Sequence, residues 1–568
     1  MLGADFILNC LIKEQIDHLF MVPGGLIDPF LPALERAPSL KPIVAAQEGG
    51  AAYMADGYAR ASGKWGAALC IGGPGLTNTV TAVATAKTDG SPLFVLSGEA
   101  ATDMEGLGLF QDASNQTLDD VSILKPVTNY SSSVDDPKNL RHIIQHALLH
   151  LRTHPQGPVH LSIPKNCQTA PFNADYEPIN PALIHSAVLS ESAAENSLMH
   201  FINPNAKRIV FLAGAGLEHS DSSKSLLQFA ERWHIPVATT LRAKGVFPEN
   251  HPLSLGVFGY AGTHHAKAAI LDQSPDLLVI LGSGLNERDS MHWTLRLTPE
   301  KTISVNTSAF ALGSALPSCS VVGDVGAYLK WLESKSEQLQ PLNSTIAERK
   351  KWLNEIKAKP RLQQEANLES AAIPIHPARI VNELRQVFPK EGILLVDSGA
   401  HRAFSGHYWE SYLPRTYLSA TNLGPMGWAI PAAVGAQCAR PSSKIAVITG
   451  DGCMHMHGLE IATAARYQLP IIYIVVNNAA LGNVWLRAHT LGSLPDKLTS
   501  LPDIDWSAFS RSLGGDGITV AKPEDLRKAF LKALANNKPT VIDVKADKRF
   551  LTPVEDWSIA TSNWSYHE

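Results

Sequence analysis

The sequence has little of what marks secreted, zinc-binding or membrane proteins. Its six cysteines lie far apart among 568 residues without a Cys-x-x-Cys pair, so neither a disulfide framework nor a thiolate zinc site is indicated. No stretch approaches the roughly 20 apolar residues of a membrane helix. The N-terminal stretch has no basic segment, and Asn9, Lys13 and Glu14 interrupt its apolar residues, unlike a signal peptide. We therefore expect a protein of the reducing cytoplasm with no membrane partner.

The sequence also lacks an excess of either charge. It has 48 Lys and Arg against 53 Asp and Glu, a net charge of −5, and no basic stripe or polybasic tail. Nucleic acid is therefore not an expected partner. A hydrophobic content of 45% and a charged content of 18% are typical of a globular enzyme. At roughly 150 residues per domain, the length predicts three or four domains.

Short β-branched runs followed by glycine-rich turns and helical patterns recur along the chain. They lie at 41–46, 67–71, 93–96, 209–212, 277–281, 393–396, 445–449, 471–476 and 540–544. Continuous apolar strands that alternate with helices predict parallel sheets covered on both faces, and hence an α/β fold. Two stretches, about 168–195 and 335–370, interrupt the rhythm and are interpreted as linkers. The predicted domains are 1–170, 190–340 and 365–550, followed by a tail at 551–568.

A metal and diphosphate site is predicted in the third block. Gly450, Asp451 and Gly452 directly follow one strand, and Asn477 and Asn478 end the next, with 27 positions from Asp451 to Asn478. Glycines let backbone N–H groups approach phosphate, and Asp and Asn supply hard oxygen ligands for Mg²⁺ or Ca²⁺. Taken alone, such a triplet is a common turn. A second Gly-Asp-Gly at 515–517 has no strand directly before it and is interpreted as a plain turn.

The spacing of these residues resembles the signature of thiamine-diphosphate enzymes. Further stretches resemble the acetolactate synthase (acetohydroxyacid synthase) large catalytic subunit, and they follow one another in the same order as in that family. These stretches lie at 22–25, 48–60, 73–78, 244–254 and 426–433. The resemblance implies three doubly wound parallel-sheet domains. The first would bind the pyrimidine of thiamine diphosphate, and the third would bind the diphosphate and Mg²⁺.

The resemblance also implies roles for residues of the first domain. Glu48, which would otherwise be read as a helix N-terminal charge, would hydrogen-bond the pyrimidine nitrogen of the cofactor. Gln111 would reach the reacting substrate. Gly25 stands where simple pyruvate decarboxylases carry an Asp. The implied catalytic set is Glu48, Gln111, Phe110 and Gly25, and Pro74 and Asn78 would line the pyrimidine pocket.

In the third domain, the resemblance implies the remainder of the cofactor site. Met426, otherwise an ordinary core residue, would wedge between the two cofactor rings. The cofactor-binding residues would be Gly399, Ala400, His401, Gly424, Met426, Gly450, Gly452 and Cys453. The metal ligands would be Asp451, Asn478 and the carbonyl oxygen of Ala480.

Two features bear on the reaction. The paired histidines of simple decarboxylases are missing from the first domain, since the chain's one His-His pair is at 264–265. Without that proton donor, the resemblance favours decarboxylation of a 2-oxo acid such as pyruvate, followed by carboligation to a second carbonyl. Acetolactate synthases carry an acceptor-side Trp nine residues after the second metal-site Asn. Here that position is Arg487, with Trp485 two residues earlier, and an Arg would favour an anionic acceptor.

The central domain and the assembly are less determined. Residues 282–288 keep the first Gly and last Arg of the family's FAD segment but lose its first Arg, and Asn306 stands where an acid is expected. FAD therefore stays open as a further cofactor. The resemblance implies active sites between subunits of a homodimer or homotetramer, with a regulatory subunit possible. The alternatives are a decarboxylase or a 2-hydroxyacyl or benzaldehyde-type lyase, and, from a different class, a non-catalytic paralogue.

Overall fold

The computed structural model describes residues 1–180, 189–219, 222–315, 318–490, 492 and 496–554. Residues 555–568 of the predicted tail lie outside the described residues. Three six-stranded sheets follow one another along the chain, and every strand pair within them is parallel. Parallel strands need crossover connections, and here helices supply most of them. The predicted α/β class with three parallel-sheet domains is therefore confirmed.

The first sheet has the order β2-β1-β3-β4-β6-β5. Its strands are His18–Met21, Lys41–Val44, Gly66–Ile71, Leu93–Glu99, Tyr130–Ser133 and Val159–Pro164 (β1 to β6). Its helices are Gly3–Lys13, Phe30–Glu35, Glu48–Ser62, Pro74–Asp89, Asp120–Leu124, Leu140–Arg152 and Lys165–Thr169. The helix Glu48–Ser62 begins where the Gln47 side chain accepts a hydrogen bond from the Gly50 N–H. It ends at Gly63, whose φ of +75° suits glycine.

The second sheet has the order β12-β11-β10-β7-β8-β9. Its strands are Ile209–Ala213, Val237–Thr239, Ser254–Val257, Leu277–Leu281, Thr302–Asn306 and Cys319–Val322 (β7 to β12). Its helices are Glu191–Phe201, Ser222–Trp233, His264–Lys267, Val325–Ser334 and Ile346–Lys357. The last of these lies inside the stretch predicted as a linker. Leu353 and Ile356 of that helix are buried in the central hydrophobic core, so much of the stretch belongs to the central domain.

The third sheet has the order β14-β13-β15-β16-β18-β17. Its strands are Ile393–Val396, Tyr417–Leu418, Ile445–Gly450, Ile472–Asn477, Asp516–Val520 and Thr540–Lys545 (β13 to β18). Its helices are Pro377–Val387, Ala400–Tyr408, Ala429–Ala439, Asp451–His457, Glu460–Arg466, Gly482–Thr490, Asp496–Thr499, Trp506–Ser512 and Leu526–Ala535. Asp516 begins β17, so the second Gly-Asp-Gly leads into a strand; the prediction of a plain turn was wrong.

A buried ion pair links the central and third domains. Lys244 Nζ lies 2.6 Å and 2.7 Å from the two carboxylate oxygens of Glu249, and both side chains are 2% exposed. Glu249 also accepts a hydrogen bond from the Ser411 N–H of the third domain, at 2.7 Å. Breaking one side of a buried pair leaves an uncompensated charge, so each partner depends on the other. Across the described part of the chain, no helix is long and apolar enough to cross a membrane.

We predict that Lys244→Met lowers the free energy of unfolding by about 3–5 kcal/mol, because it leaves the buried Glu249 carboxylate without a positive partner. Denaturant unfolding followed by fluorescence measures this. The matched control is Lys207→Met, since Lys207 and its partner Glu348 are 45% and 53% exposed and such pairs contribute about 1 kcal/mol or less. Equal effects of the two substitutions would contradict the prediction.

Candidate active site

A cavity of about 330 Å³ lies at the carboxyl edge of the third sheet, where β13, β15 and β16 end. Open α/β sheets bind ligands at this edge. Most of the residues predicted for the cofactor and metal line this cavity. They are Gly399, Ala400, His401, Gly424, Met426, Gly450, Asp451, Gly452, Cys453, Asn478 and Ala480.

Asp451 is the carboxylate at the centre of this edge, and it is 1% exposed. Its oxygens accept hydrogen bonds from the backbone N–H groups of Asn478 and Ala480, at 3.1 Å each to Oδ2. Burial raises the pKa of Asp451 to about 6, although these N–H groups favour the charged form. A divalent cation beside the carboxylate would stabilise that charge, so the donor set fits Mg²⁺. Among the described residues, no cluster of three or more His, Cys, Asp or Glu could hold a metal, and the ligands here would be mainly neutral oxygens.

The first turn of the helix after β13 carries a buried histidine. His401 is 7% exposed, and its Nε2 is buried without a hydrogen-bond partner. Burial lowers the pKa of His401 to about 3, so its imidazole is neutral and can donate from one ring nitrogen. A Cβ on Gly450 would lie 3.1 Å from the His401 ring. The close-packed glycine backbone beside this unpartnered ring nitrogen fits a diphosphate group.

Met426 lies close to Gly452 in the cavity lining. A Cβ on Gly452 would lie 2.5 Å from the Met426 terminal methyl group and 2.8 Å from the Leu481 side chain. Gly424, with a φ of +66°, makes the turn that leads to Met426. Glycine at 452 therefore lets the Met426 side chain lie directly over the β15 loop.

Tyr260, Arg288 and Arg402 are among the cavity residues that the sequence analysis did not assign to it. The guanidinium of Arg288 lies 4.5 Å from the centre of the Tyr260 ring, and that of Arg402 lies 5.9 Å from it. Burial and the Arg402 charge lower the pKa of Arg288. Arg288 was noted only as part of the flavin segment. Arg402, a single Arg in a buried helix, had no sequence pattern to identify it.

The residues predicted in the first domain lie at the carboxyl edge of their own sheet. Asn78 Nδ2 donates to Glu48 Oε2 at 2.9 Å. A Cβ on Gly75 would lie 3.6 Å from Glu48 Oε1, so the helix after β3 packs closely on the Glu48 carboxylate. Pro74 begins that helix and is exposed. Glu48, Pro74 and Asn78 do not line the cavity of their own chain.

Of the remaining predicted residues, Phe110 and Gly25 are exposed and Gln111 is half-buried. Phe110 is 83% exposed, and Gln111 has a φ of +62°. Gly25 is exposed, and a Cβ there would meet no atom within 4 Å. None of the three lines the cavity.

The two acceptor-side residues point in different directions. Arg487 lines the cavity, as do its helix neighbours Val484 and Leu486. Trp485 does not; its ring stacks on His489, with centres 5.0 Å apart, and its indole N–H donates to Asp496.

A glycine-walled cavity at the carboxyl edge of a parallel sheet, holding one buried carboxylate and one unpartnered histidine, defines an enzyme that binds a phosphorylated cofactor. Comparison with known families specifies which one. Profiles of the thiamine pyrophosphate enzyme N-terminal TPP binding domain, central domain and C-terminal TPP binding domain match residues 1–123, 198–332 and 397–544.

Relatives match along nearly the whole chain. A probable acetolactate synthase large subunit of Methanocaldococcus jannaschii is 30% identical, covering 98% of this chain and 93% of its own length. The acetolactate synthase large subunit of Parasynechococcus marenigrum is 32% identical, covering 95% and 87%. The putative thiamine pyrophosphate-containing protein YdaP of Bacillus subtilis is 28% identical, covering 93% and 89%.

The chain belongs to the thiamine pyrophosphate enzyme family. It is a thiamine-diphosphate-dependent enzyme that resembles the acetolactate synthase large subunit. The family predicted from the motifs, and thiamine diphosphate as its cofactor, are therefore confirmed.

Proposed function

We propose that this protein uses thiamine diphosphate and Mg²⁺ to decarboxylate a 2-oxo acid, with pyruvate the first candidate, and joins the remaining acyl group to a second carbonyl compound. The observation that carries the proposal is the cavity at the end of β13, β15 and β16. It brings Asp451, Asn478 and Ala480 together with Met426 and His401. When bound, the cofactor supplies a carbanion that attacks the carbonyl and an electron sink for the loss of CO2.

The residues of the third domain would hold the polar end of the cofactor. Asp451, Asn478 and the carbonyl oxygen of Ala480 would bind Mg²⁺, with His401 and the backbone at Gly452 and Cys453 directed to the diphosphate. Met426 would support the ring portion, because its methyl group is fixed against the Gly452 backbone. Each of these assignments uses a group that already lines the cavity.

Glu48 would position the pyrimidine ring and hold a proton at its nitrogen. The amide of Asn78 donates to one Glu48 oxygen, so the other oxygen can be directed towards a ring nitrogen. Glu48 does not line the cavity of its own chain. We therefore infer that a second copy supplies it, and that the enzyme is a homodimer or homotetramer. A regulatory subunit would be an addition to that assembly.

The acceptor side would be electropositive. Arg288, Arg402, Arg487 and Lys548 line the same cavity. Such a site favours an acceptor that carries a carboxylate, phosphate or sulfonate group.

FAD would not be required by this reaction. Gly284 stands where the family's flavin segment has its first Arg, so this chain has no guanidinium at that position. Asn306, in place of the expected acid, donates to the Ala311 carbonyl oxygen at 2.5 Å. The Asn306 side chain therefore bonds within its own domain. The visible absorbance spectrum of the purified protein tests for bound flavin.

Product analysis tests the proposed reaction. Purified protein would be incubated with Mg²⁺, thiamine diphosphate and pyruvate, with CO2 release followed and products identified by mass. A carbon–carbon coupled acid is the expected product. Release of acetaldehyde would instead indicate a decarboxylase with a proton donor. Absence of CO2 would reject pyruvate as the donor and direct the test to other 2-oxo acids and acyl-CoA lyase substrates.

We predict that Glu48→Gln lowers turnover by about 100-fold or more while cofactor binding is largely retained, because Gln keeps the shape but cannot exchange the proton. Steady-state kinetics and cofactor titration by fluorescence measure the two effects. Glu35→Gln, an exposed substitution in the same domain, is the control and should leave both unchanged. Near-normal turnover in the Glu48 variant would reject the assigned role.

We predict that Asp451→Ala abolishes the Mg²⁺ dependence of cofactor binding and weakens that binding by about tenfold or more, because it removes the charged ligand. Equilibrium dialysis with and without Mg²⁺ measures this. The control is Asp516→Ala, which changes the exposed Asp of the second Gly-Asp-Gly, at 515–517. Unchanged cofactor retention in the Asp451 variant would contradict the metal role.

We predict that Arg487→Trp shifts acceptor preference by about tenfold from anionic towards apolar carbonyl compounds, because it removes a positive charge from the cavity wall. Competition between two acceptors, read as a product ratio, measures the shift. Arg466→Trp changes an exposed Arg on another helix of the same domain and should leave the ratio unchanged. Identical ratios for both variants would show that Arg487 does not contact the acceptor.

A further inference from the structure

Two buried carboxyl groups lie behind the loop that follows β3, outside the cavity described above. Glu99 ends β4 and is 2% exposed, and Asp120 begins the helix Asp120–Leu124 and is 1% exposed. Their oxygens flank the backbone of Gly72. A Cβ at that position would lie 2.9 Å from Asp120 Oδ2 and 3.3 Å from Glu99 Oε2. We call Glu99 and Asp120 the acid pair.

Nothing positive balances the acid pair in the described part of the chain. Neither carboxylate forms an ion pair there, and the charged groups that act on them are Glu105, Asp112 and Asp119, all acidic. The nearby Cys70 thiol is buried, and burial together with Asp120 and Glu48 raises its pKa. Glu99 Oε2 and Asp120 Oδ1 are both buried without a hydrogen-bond partner.

Two adjacent buried carboxylates cannot both stay ionised without a cation. Burial, with the Glu99 charge adding to it, raises the pKa of Asp120 to about 7. Burial also raises the pKa of Glu99. Between the ordinary carboxyl range and about pH 7, the pair therefore retains one proton, and its titration belongs to the two groups together.

The other oxygens of the acid pair bind the backbone of two separate segments. Asp120 Oδ2 accepts from the Gly73 N–H at 3.0 Å, and Gly73 precedes the helix that carries Pro74 and Asn78. Glu99 Oε1 accepts from the Ala113 N–H at 3.2 Å. The Asp120 N–H donates to the Ala113 carbonyl oxygen at 3.0 Å. Ala113 lies two residues after Gln111, so the pair connects the Gln111 segment to the loop beside Glu48.

We propose that Glu99 and Asp120 share one proton and thereby act as positioning residues. They hold the segment that carries Phe110 and Gln111 against the Gly73 loop beside Glu48. Loss of the shared proton leaves two negative charges beside Gly72, and their repulsion releases the segment that carries Phe110 and Gln111. The proton-sharing does not depend on the proposed function, whereas its effect on turnover does.

The first test measures stability without cofactor or substrate. In Asp120→Asn, the amide oxygen can accept from Gly73 and the side chain carries no charge, so the variant imitates the protonated acid. An acid with a raised native pKa binds its proton more tightly when folded, so wild-type stability falls between about pH 4 and pH 7. The Tm of the variant should therefore rise relative to that of wild type by several degrees across this window, and then level off.

Asp119→Asn is the matched control. The Ser122 hydrogen bonds lower the pKa of Asp119, so its charged form contributes stability that is lost as pH falls. The Tm of this control should therefore fall relative to that of wild type as pH rises through about 4, the opposite sign. A Tm difference between D120N and wild type that does not change with pH would overturn the proposal.

The second test follows the segment itself. Hydrogen–deuterium exchange of peptides covering 100–119 is compared between wild type and D120N at about pH 6 and about pH 8.5, so that intrinsic exchange rates cancel. We expect equal protection at the lower pH and faster exchange of the wild-type segment at the higher pH. Equal exchange at both values would overturn the release step.

The third test uses activity on the proposed substrates. Wild-type kcat/KM should fall about tenfold between about pH 7 and pH 9, and D120N should lack this fall. Asp120→Ala should lower kcat/KM at both values because it loses the Gly73 acceptor, and recovery in D120N excludes simple misfolding. An alkaline fall that persists in D120N would overturn the positioning role. If no turnover is seen with any enzyme form, the proposed function fails, while the stability and exchange tests still decide the proton-sharing.

Discussion

The contact between two helices from different domains is the constraint on which the structure depends. The helix Glu48–Ser62 of the first domain packs against the helix Ala429–Ala439 of the third. A Cβ on Gly57 would lie 2.1 Å from the Ala432 carbonyl oxygen, and one on Gly435 would lie 1.8 Å from that of Met54. Only glycine permits this approach. The hydrophobic cores of the two domains consequently form one continuous cluster, and Glu48 begins a helix whose position the third domain determines.

Polar groups fix the direction of this contact. The Trp428 indole N–H donates to Asp56 at 2.7 Å, and Arg60 pairs with both Asp56 and Asp89 at 2.9 Å. The Asn422 N–H of the third domain donates to Asp89. Just before the helix Glu48–Ser62, the Ala46 N–H donates a hydrogen bond to the Glu460 carboxylate. Hydrophobic packing tolerates sliding, whereas these buried directional bonds do not, so the register of the two helices is specified. The carboxyl edges of the first and third sheets therefore keep a fixed position relative to each other.

The sequence pattern predicted the fold where structure depends on local periodicity. Apolar strands such as 393–396 and 445–449 were found within a residue of their true ends, because a strand buried on both faces has few polar interruptions. The charged helix Ile346–Lys357 was missed because exposed Lys and Glu dominate its composition, while only four of its residues are buried against the domain. The Gly-Asp-Gly at 515–517 was misread because the same tripeptide can begin a strand.

The candidate site was predictable where one motif carries several neighbours, as around Asp451. It was not predictable where the contact joins distant segments. Arg288 and Arg402 lie 114 positions apart and meet only at the Tyr260 ring. Trp485 lies next to a cavity residue but on the other side of its helix, because adjacent helical positions point about 100° apart. A motif specifies positions along the chain, and only packing decides which of them share a face.

One physical rule connects the two edges of the molecule. A buried carboxyl group must meet a cation, a hydrogen-bond donor or a proton. Asp451 lies among neutral oxygens and N–H groups at the cavity edge, where a divalent cation fits. The charged groups that act on Glu99 and Asp120 are all acidic, so beyond their backbone N–H partners a proton is the one positive charge available to them among the described residues. The same cost of burying charge would therefore recruit a metal in the third domain and a shared proton in the first. Both serve to hold backbone segments that carry the proposed site.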